Sequence, residues 1–218
     1  MLEEMTRRQF HAGLASVKDD VVRLAAMAIE CIPRATDALL DDDIIAAQAV
    51  IDGDDPIDAL ALRVEERCLS LLALQQPMAV DLRAVMTATK LNWELERSAD
   101  LAVNIAKSVC RLHGYALPHP IRGVITKMNE ESIRLTRLAI DSYVDLDASV
   151  AVQLERMDDR LDSLQVDMMR AIFDARDERG FAVQSAVQVA LVGRYYERIG
   201  DHAVNISERV LYLIKGTI

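Results

Sequence analysis

The ten residues Glu96-Arg-Ser-Ala-Asp100-Leu-Ala-Val-Asn104-Ile105 return near the C-terminus as Glu197-Arg-Ile-Gly-Asp201-His-Ala-Val-Asn205-Ile206, with seven positions identical. Chance supplies matching apolar residues in two helical stretches, but not the same Glu, Arg, Asp and Asn at the same offsets. The chain is therefore read as a duplicated unit, and every later inference has to fit two similar halves.

The apolar content is carried by Ala, Leu, Val, Ile and Met, with only 4% aromatics, 8 Gly and 5 Pro, a balance that suits long helices better than sheets joined by many turns. Phe10, Leu14, Val17, Val21, Leu24 and Ala28 recur every three or four residues and predict a first helix from Thr6 to about Leu40, kinked or divided at Pro33. Asp41-Asp42-Asp43 can cap a second helix running to about Gln75, which Gly53 and Asp55-Pro56 complicate. Past Pro77 a third helix reaches Leu112. Gly114, Pro118 and Pro120 form the strongest break, which places one unit at residues 1–115 and the other at 116–218. The second unit repeats the plan with helices near His119 to Leu146, Ala148 to Arg176 and Ala182 to Lys215, so the expected fold is all-α with three helices followed by three.

A net charge of −10 without a basic block excludes nucleic acid as an expected partner. Cys31, Cys68 and Cys110 are odd in number and lack CxxC spacing, and are expected to be reduced core residues. No segment has the run of about 18 uncharged apolar residues that a membrane span needs, and the first ten residues carry no apolar leader, so a cytoplasmic protein is expected.

Glu96 and Asp100 are four apart and project from one helix face, as do Glu197 and Asp201. The preceding helix adds Asp54 with Asp58 in the first half and Asp158 with Asp162 in the second. From Asp58 to Gln76 is 18 residues and from Pro77 to Glu96 is 19, so two antiparallel helices bring both pairs to one height. Facing carboxylates either raise one another's pKa or recruit cations. Two kinds of cation are available. Oxygen donors suit Mg, Mn or Fe, with Zn also open, while Arg63, Arg97, Arg160, Arg194 and Arg198 could form structural ion networks instead. Asn104 and Asn205 either orient carboxylates or bond to a neighbouring helix, and His202, about 100° round the helix from Asp201, reads as a surface or interhelix residue. No Glu is followed by His three residues later as in di-iron bundles, and there is no glycine-rich phosphate loop or nucleophile elbow, so no enzyme is expected.

These motifs, together with Pro77-Met-Ala-Val-Asp81-Leu-Arg83, resemble the PhoU family over essentially the whole chain. The resemblance implies six helices as two tandem three-helix bundles, often dimeric. It also implies metal clusters of iron or zinc held by Asp54, Asp58, Glu96, Asp100, Asp158, Asp162, Glu197 and Asp201, with Asp54 and Asp58 beside the helix-disturbing Gly53 and Pro56. The function it implies is negative regulation of phosphate uptake and of the phosphate-starvation response. The protein would link the ATPase subunit of a phosphate ABC transporter to a sensor histidine kinase. A carboxylate-bundle metalloenzyme and a metal-free helical scaffold are the alternatives.

Overall fold

Eight helical segments follow six paths in a computed structural model that describes residues 2–157, 159–175 and 182–216. They are α1 (Leu2–Asp41), α2 (Ile44–Asp52), α3 (Asp55–Gln75), α4 (Val80–Leu112), α5 (His119–Asp145), α6 (Ala148–Met157), α7 (Asp159–Asp174) and α8 (Val183–Lys215). The first bundle contains α1, the α2–α3 path and α4, and the second contains α5, the α6–α7 path and α8. There is no strand among the described residues.

Helix α1 is not divided at Pro33. Proline inside a helix costs about 3 kcal/mol, but Ile32, Ala35, Ala38 and Leu39 around it are all buried. Each large apolar side chain taken from water returns about 1.5–3 kcal/mol, so the core holds the helix through the defect. The second path of the first bundle is divided into α2 and α3, the outcome in which Asp55-Pro56 opens a new helix. Asp43 caps α2 as anticipated, its carboxylate accepting from the backbone N–H groups of Ile45 and Ala46 at 2.9 Å each. The break follows at Gly53 and Asp54, since Pro56 has no N–H with which to continue the ladder. In the second bundle Asp147 plays the capping role, accepting from Ser149 N–H at 2.7 Å.

The chain reverses between α3 and α4 at Gln76, in the left-handed region with φ 43°. Between the bundles, Asp42 accepts from the Gly114 N–H at 3.1 Å and lies 3.1 Å from His113 Nδ1, which ties the connection back to the end of α1. Gly114 itself needs its φ of 83°. Helix α8 ends on Gly216, φ 77°, whose N–H closes it on the Tyr212 carbonyl at 2.9 Å. Arg83 lies beside that glycine, a cation at the negative end of a helix.

The two bundles share one apolar core. Helix α4 packs on α8 as extensively as on α1 of its own bundle, and α1 packs on α5 as well as on its own bundle. Ala102, Val103 and Ile105 of the first repeated motif are buried, and so are Ala203 and Ile206 of the second. The motif is thus apolar on its inner side and acidic on its outer side. Cys31 and Cys68 lie in the core as expected, but Cys110 is exposed, because it sits on α4 opposite the buried Ser108, Val109 and Leu112 positions. No helix among the described residues is long and apolar enough to cross a membrane.

Candidate cation-binding face

The fold brings Asp54, Asp58, Glu96 and Asp100 onto one face of the first bundle. Asp54 precedes α3 and Asp58 lies in its first turn, so Pro56 at the helix start leaves both carboxylates on the α4 side. Their charges feel one another. The Asp54 carboxyl is raised by partial burial and then by Asp58 and Asp100, with Lys107 opposing. Glu96 is raised by burial, Asp100 and Asp58 against Arg97, and Asp58 by burial and Asp100. One Asp54 carboxylate oxygen, Oδ1, is buried without a hydrogen-bond partner. The Cys31 thiol faces the same region and is pushed up to about 11, by burial first and Asp54 next, so it stays protonated.

The second bundle is arranged differently. Glu197 is paired as an ion with Arg194, although its Oε2 has no hydrogen bond of good geometry. Arg160 lies 3.6 Å from the buried Glu131 of α5, which also holds Arg134 through its carboxylate. Asp162 is exposed and Asp201 half-buried, and Asp158 lies outside the described residues. Of the described motif acids in this half, Glu197 is the one paired with an arginine. Arg160 occupies the repeat position of Pro56 and Arg194 that of Trp93, at the offsets of 104 and 101 that relate the two halves. Pro56 and Trp93 carry no charge, so the first half lacks both internal cations.

The first-bundle quartet offers oxygen donors only, one of them an orphaned buried oxygen, and its mutual repulsion favours a bound cation. These residues fit a hard or borderline metal ion in donor chemistry. Among the described residues no three His, Cys, Asp or Glu side chains stand ready to hold one, so a metal would have to draw the carboxylates together.

Between the bundles lies a contact that the motif spacing does not reveal. Glu94 Oε2 stands 2.6 Å from His202 Nδ1 and accepts from Asn205 Nδ2 at 3.2 Å. Asn205 thus bonds to a neighbouring helix, and His202, 7% exposed, is an interhelix histidine. Burial works to raise the Glu94 carboxyl, but the hydrogen bonds from His202 and Asn205 outweigh it and hold it below its ordinary range. Glu131 was missed for a similar reason: a buried acid with arginine partners from two helices is visible only once α5 and α7 are side by side. Deeper still, the buried Tyr196 hydroxyl lies 2.6 Å from that of Thr36, joining α8 to α1.

The PhoU domain model matches residues 21–109 and again 125–210. A phosphate-specific transport system accessory protein PhoU homolog 2 from Mycobacterium tuberculosis is 33% identical over 211 residues, covering 96% of this chain and 98% of the relative. The PhoU homolog of Clostridium acetobutylicum is 33% identical, with 97% of each chain covered. The crystal structure of PhoU from Pseudomonas aeruginosa superposes with a TM-score of 0.88 at 29% identity, over 95% of this chain and 100% of that one. With the duplicated motif, the paired bundles and these matches in agreement, the chain belongs to the PhoU family.

Proposed function

We propose that the protein is a regulatory accessory protein of phosphate-specific transport, restraining uptake and the starvation response when phosphate is plentiful. The relatives are named as accessory proteins of that system, and a structural neighbour from Streptococcus pneumoniae as its regulatory protein. None of these is named as an enzyme. The observation that carries the reading is that both matched domains and the acidic first-bundle face occur together in one chain. In the adaptor mechanism this face recognises one conformation of the transporter's ATPase subunit or of a sensor histidine kinase. Preferential binding then shifts the partner's equilibrium toward that conformation.

Asp54, Asp58, Glu96 and Asp100 are the residues that would hold an iron, zinc, manganese or magnesium ion. When bound, it would supply fixed positive charge in place of mutual repulsion. Glu197 and Asp201, with Arg194 at hand, are the weaker pair, and there the metal-free scaffold reading is favoured by the ion pair itself. The test uses cells lacking the protein and carrying a phosphate-starvation reporter. They are complemented in high phosphate by wild type or by Asp54→Asn, Asp58→Asn, Glu96→Gln and Asp100→Asn combined. Wild type should restore repression, and the folded variant should not and should purify with less metal. Equal repression by both would remove the carboxylate face from the mechanism, and no repression by either would remove the regulator reading.

A further inference from the structure

Below the quartet, the groove between α3 and α4 is a cavity of about 300 Å³ whose polar lining is Asp58, Glu65, Asn92, Trp93, Glu96 and Arg97. We infer that it receives the guanidinium group of an arginine presented by a partner protein. The biological meaning of that contact rests on the adaptor reading, but the binding itself does not.

Three of its groups are carboxylates, and an acidic lining alone would specify little. Asn92 adds the specific signal. It is 2% exposed, its amide Nδ2 is committed to the Ala61 carbonyl at 3.1 Å, and its Oδ1 is buried with no partner. An unpaired buried acceptor in a groove wall is destabilising, and a hydrogen-bond donor that reaches it from the groove relieves that cost. Trp93, 50% exposed, supplies an aromatic face that already attracts cations. Lys90 Nζ lies 5.8 Å and the Arg97 guanidinium 5.7 Å from its ring centre, both from α4 itself.

The second bundle shows what kind of group belongs there. The offset of 101 that maps Glu96 onto Glu197 also maps Trp93 onto Arg194 and Asn92 onto Gly193. Arg194 neutralises Glu197, and the space above Gly193 is filled by Gln165, whose Oε1 would stand 2.4 Å from an added Cβ. In that half the chain's own guanidinium and amide close the equivalent groove. The first half keeps the acceptors and has Arg97 in the groove wall, but it has no arginine at the Trp93 position and no glutamine at the Ala61 position. A planar guanidinium can stack on the indole while forking to a carboxylate, which an ammonium cannot do. A metal ion would gain nothing from the indole face.

Trp93 is the only tryptophan, so its fluorescence reports on the groove directly. The full-length protein, freed of metal by chelator, is titrated with N-acetyl-argininamide, N-acetyl-lysinamide and N-acetyl-citrullinamide. The arginine probe should give a saturable change, with a Kd of roughly millimolar as suits a small fragment. The lysine probe should bind at least fivefold more weakly and the uncharged citrulline probe not at all. Glu65→Gln, which leaves the quartet intact, should weaken the arginine probe about tenfold. Asn92→Ala should weaken it as well, with circular dichroism to show that the helices persist. The proposal falls if the three probes behave alike or if Glu65→Gln leaves the arginine titration unchanged. It also falls if Mn²⁺ or Zn²⁺ saturates the signal and the arginine probe gives none. The reporter assay is separate: if the quartet variant represses normally, the adaptor face is lost while the guanidinium titration still stands or falls by itself.

Discussion

Glu94 is an acid outside the repeated motif that reaches from α4 to two side chains of α8. Its side chain is 20% exposed and accepts from both His202 and Asn205. Removing it in Glu94→Ala leaves two donors in a mostly buried place, which at pH 7 should cost roughly 1–3 kcal/mol in chemical denaturation. The pH dependence has a definite sign. The folded carboxyl is held below its ordinary 4.5. The stabilisation is therefore fully present above 4.5 and is lost as pH falls through the lowered folded value. The gap between wild type and Glu94→Ala should accordingly narrow below pH 4.5, and a gap that stays constant down to pH 3 would show that the ionised carboxylate is not the stabilising species. The sequence marked His202 and Asn205 as residues able to bond to another helix. It could not name Glu94, since that requires knowing which side of α4 meets α8.

At the scale of elements, the long helices were legible from their apolar periodicity and most of their ends from caps. The third helix of each half was fixed by the repeat before any packing was known. What was not legible was continuity. The same residue type had opposite effects at Pro33 and Pro56, because the first lies among buried side chains and the second beside a glycine and several exposed acids. The packing of α7 on α8 depends on a similar local fact. Gly193 lets Gln165 and Met168 approach so closely that a Cβ would meet them at 2.4 and 3.1 Å, whereas Gly123 in α5 has nothing within 4 Å. Gly193→Val should therefore destabilise by about 1–3 kcal/mol through overpacking. Gly123→Ala should stabilise by about 0.5–1 kcal/mol, since alanine restricts the unfolded chain at no steric cost. Thermal melts of the two variants should move in opposite directions; a shared direction would contradict the assigned contacts.

For the whole molecule, duplication predicted two equal acidic sites, and among the described residues the second differs in pairing one of its acids, Glu197, with Arg194. The replacement that accounts for this, Trp93 by Arg194, can be read from the aligned halves. Its effect cannot, because an arginine neutralises only the acids its side chain reaches. The first-bundle face costs stability in the absence of a cation. Asp54, Asp58 and Glu96 are raised above 3.8, 3.8 and 4.5, so their contribution is most favourable when protonated and is lost as pH rises through the raised folded values. The quartet variant with neutral side chains should thus melt a few degrees higher than metal-free wild type at pH 7 and low salt. That difference should shrink with about 0.5 M salt, which shortens the screening length to a few ångströms, and again near pH 4. A variant that melts lower at pH 7 would show that these carboxylates are already paired.

The packing of α4 on α8 also sets a timetable for synthesis. The apolar side of α4 is complete at Leu112, but the helix that covers it ends only at Lys215. At the usual rate of roughly 5–20 residues per second, that side waits about 5–20 s in the growing chain without its final neighbour. During this interval the newborn first half resembles a protein with a missing subunit. It is then a natural client for chaperones, until the second half arrives on the same chain and takes the vacant place.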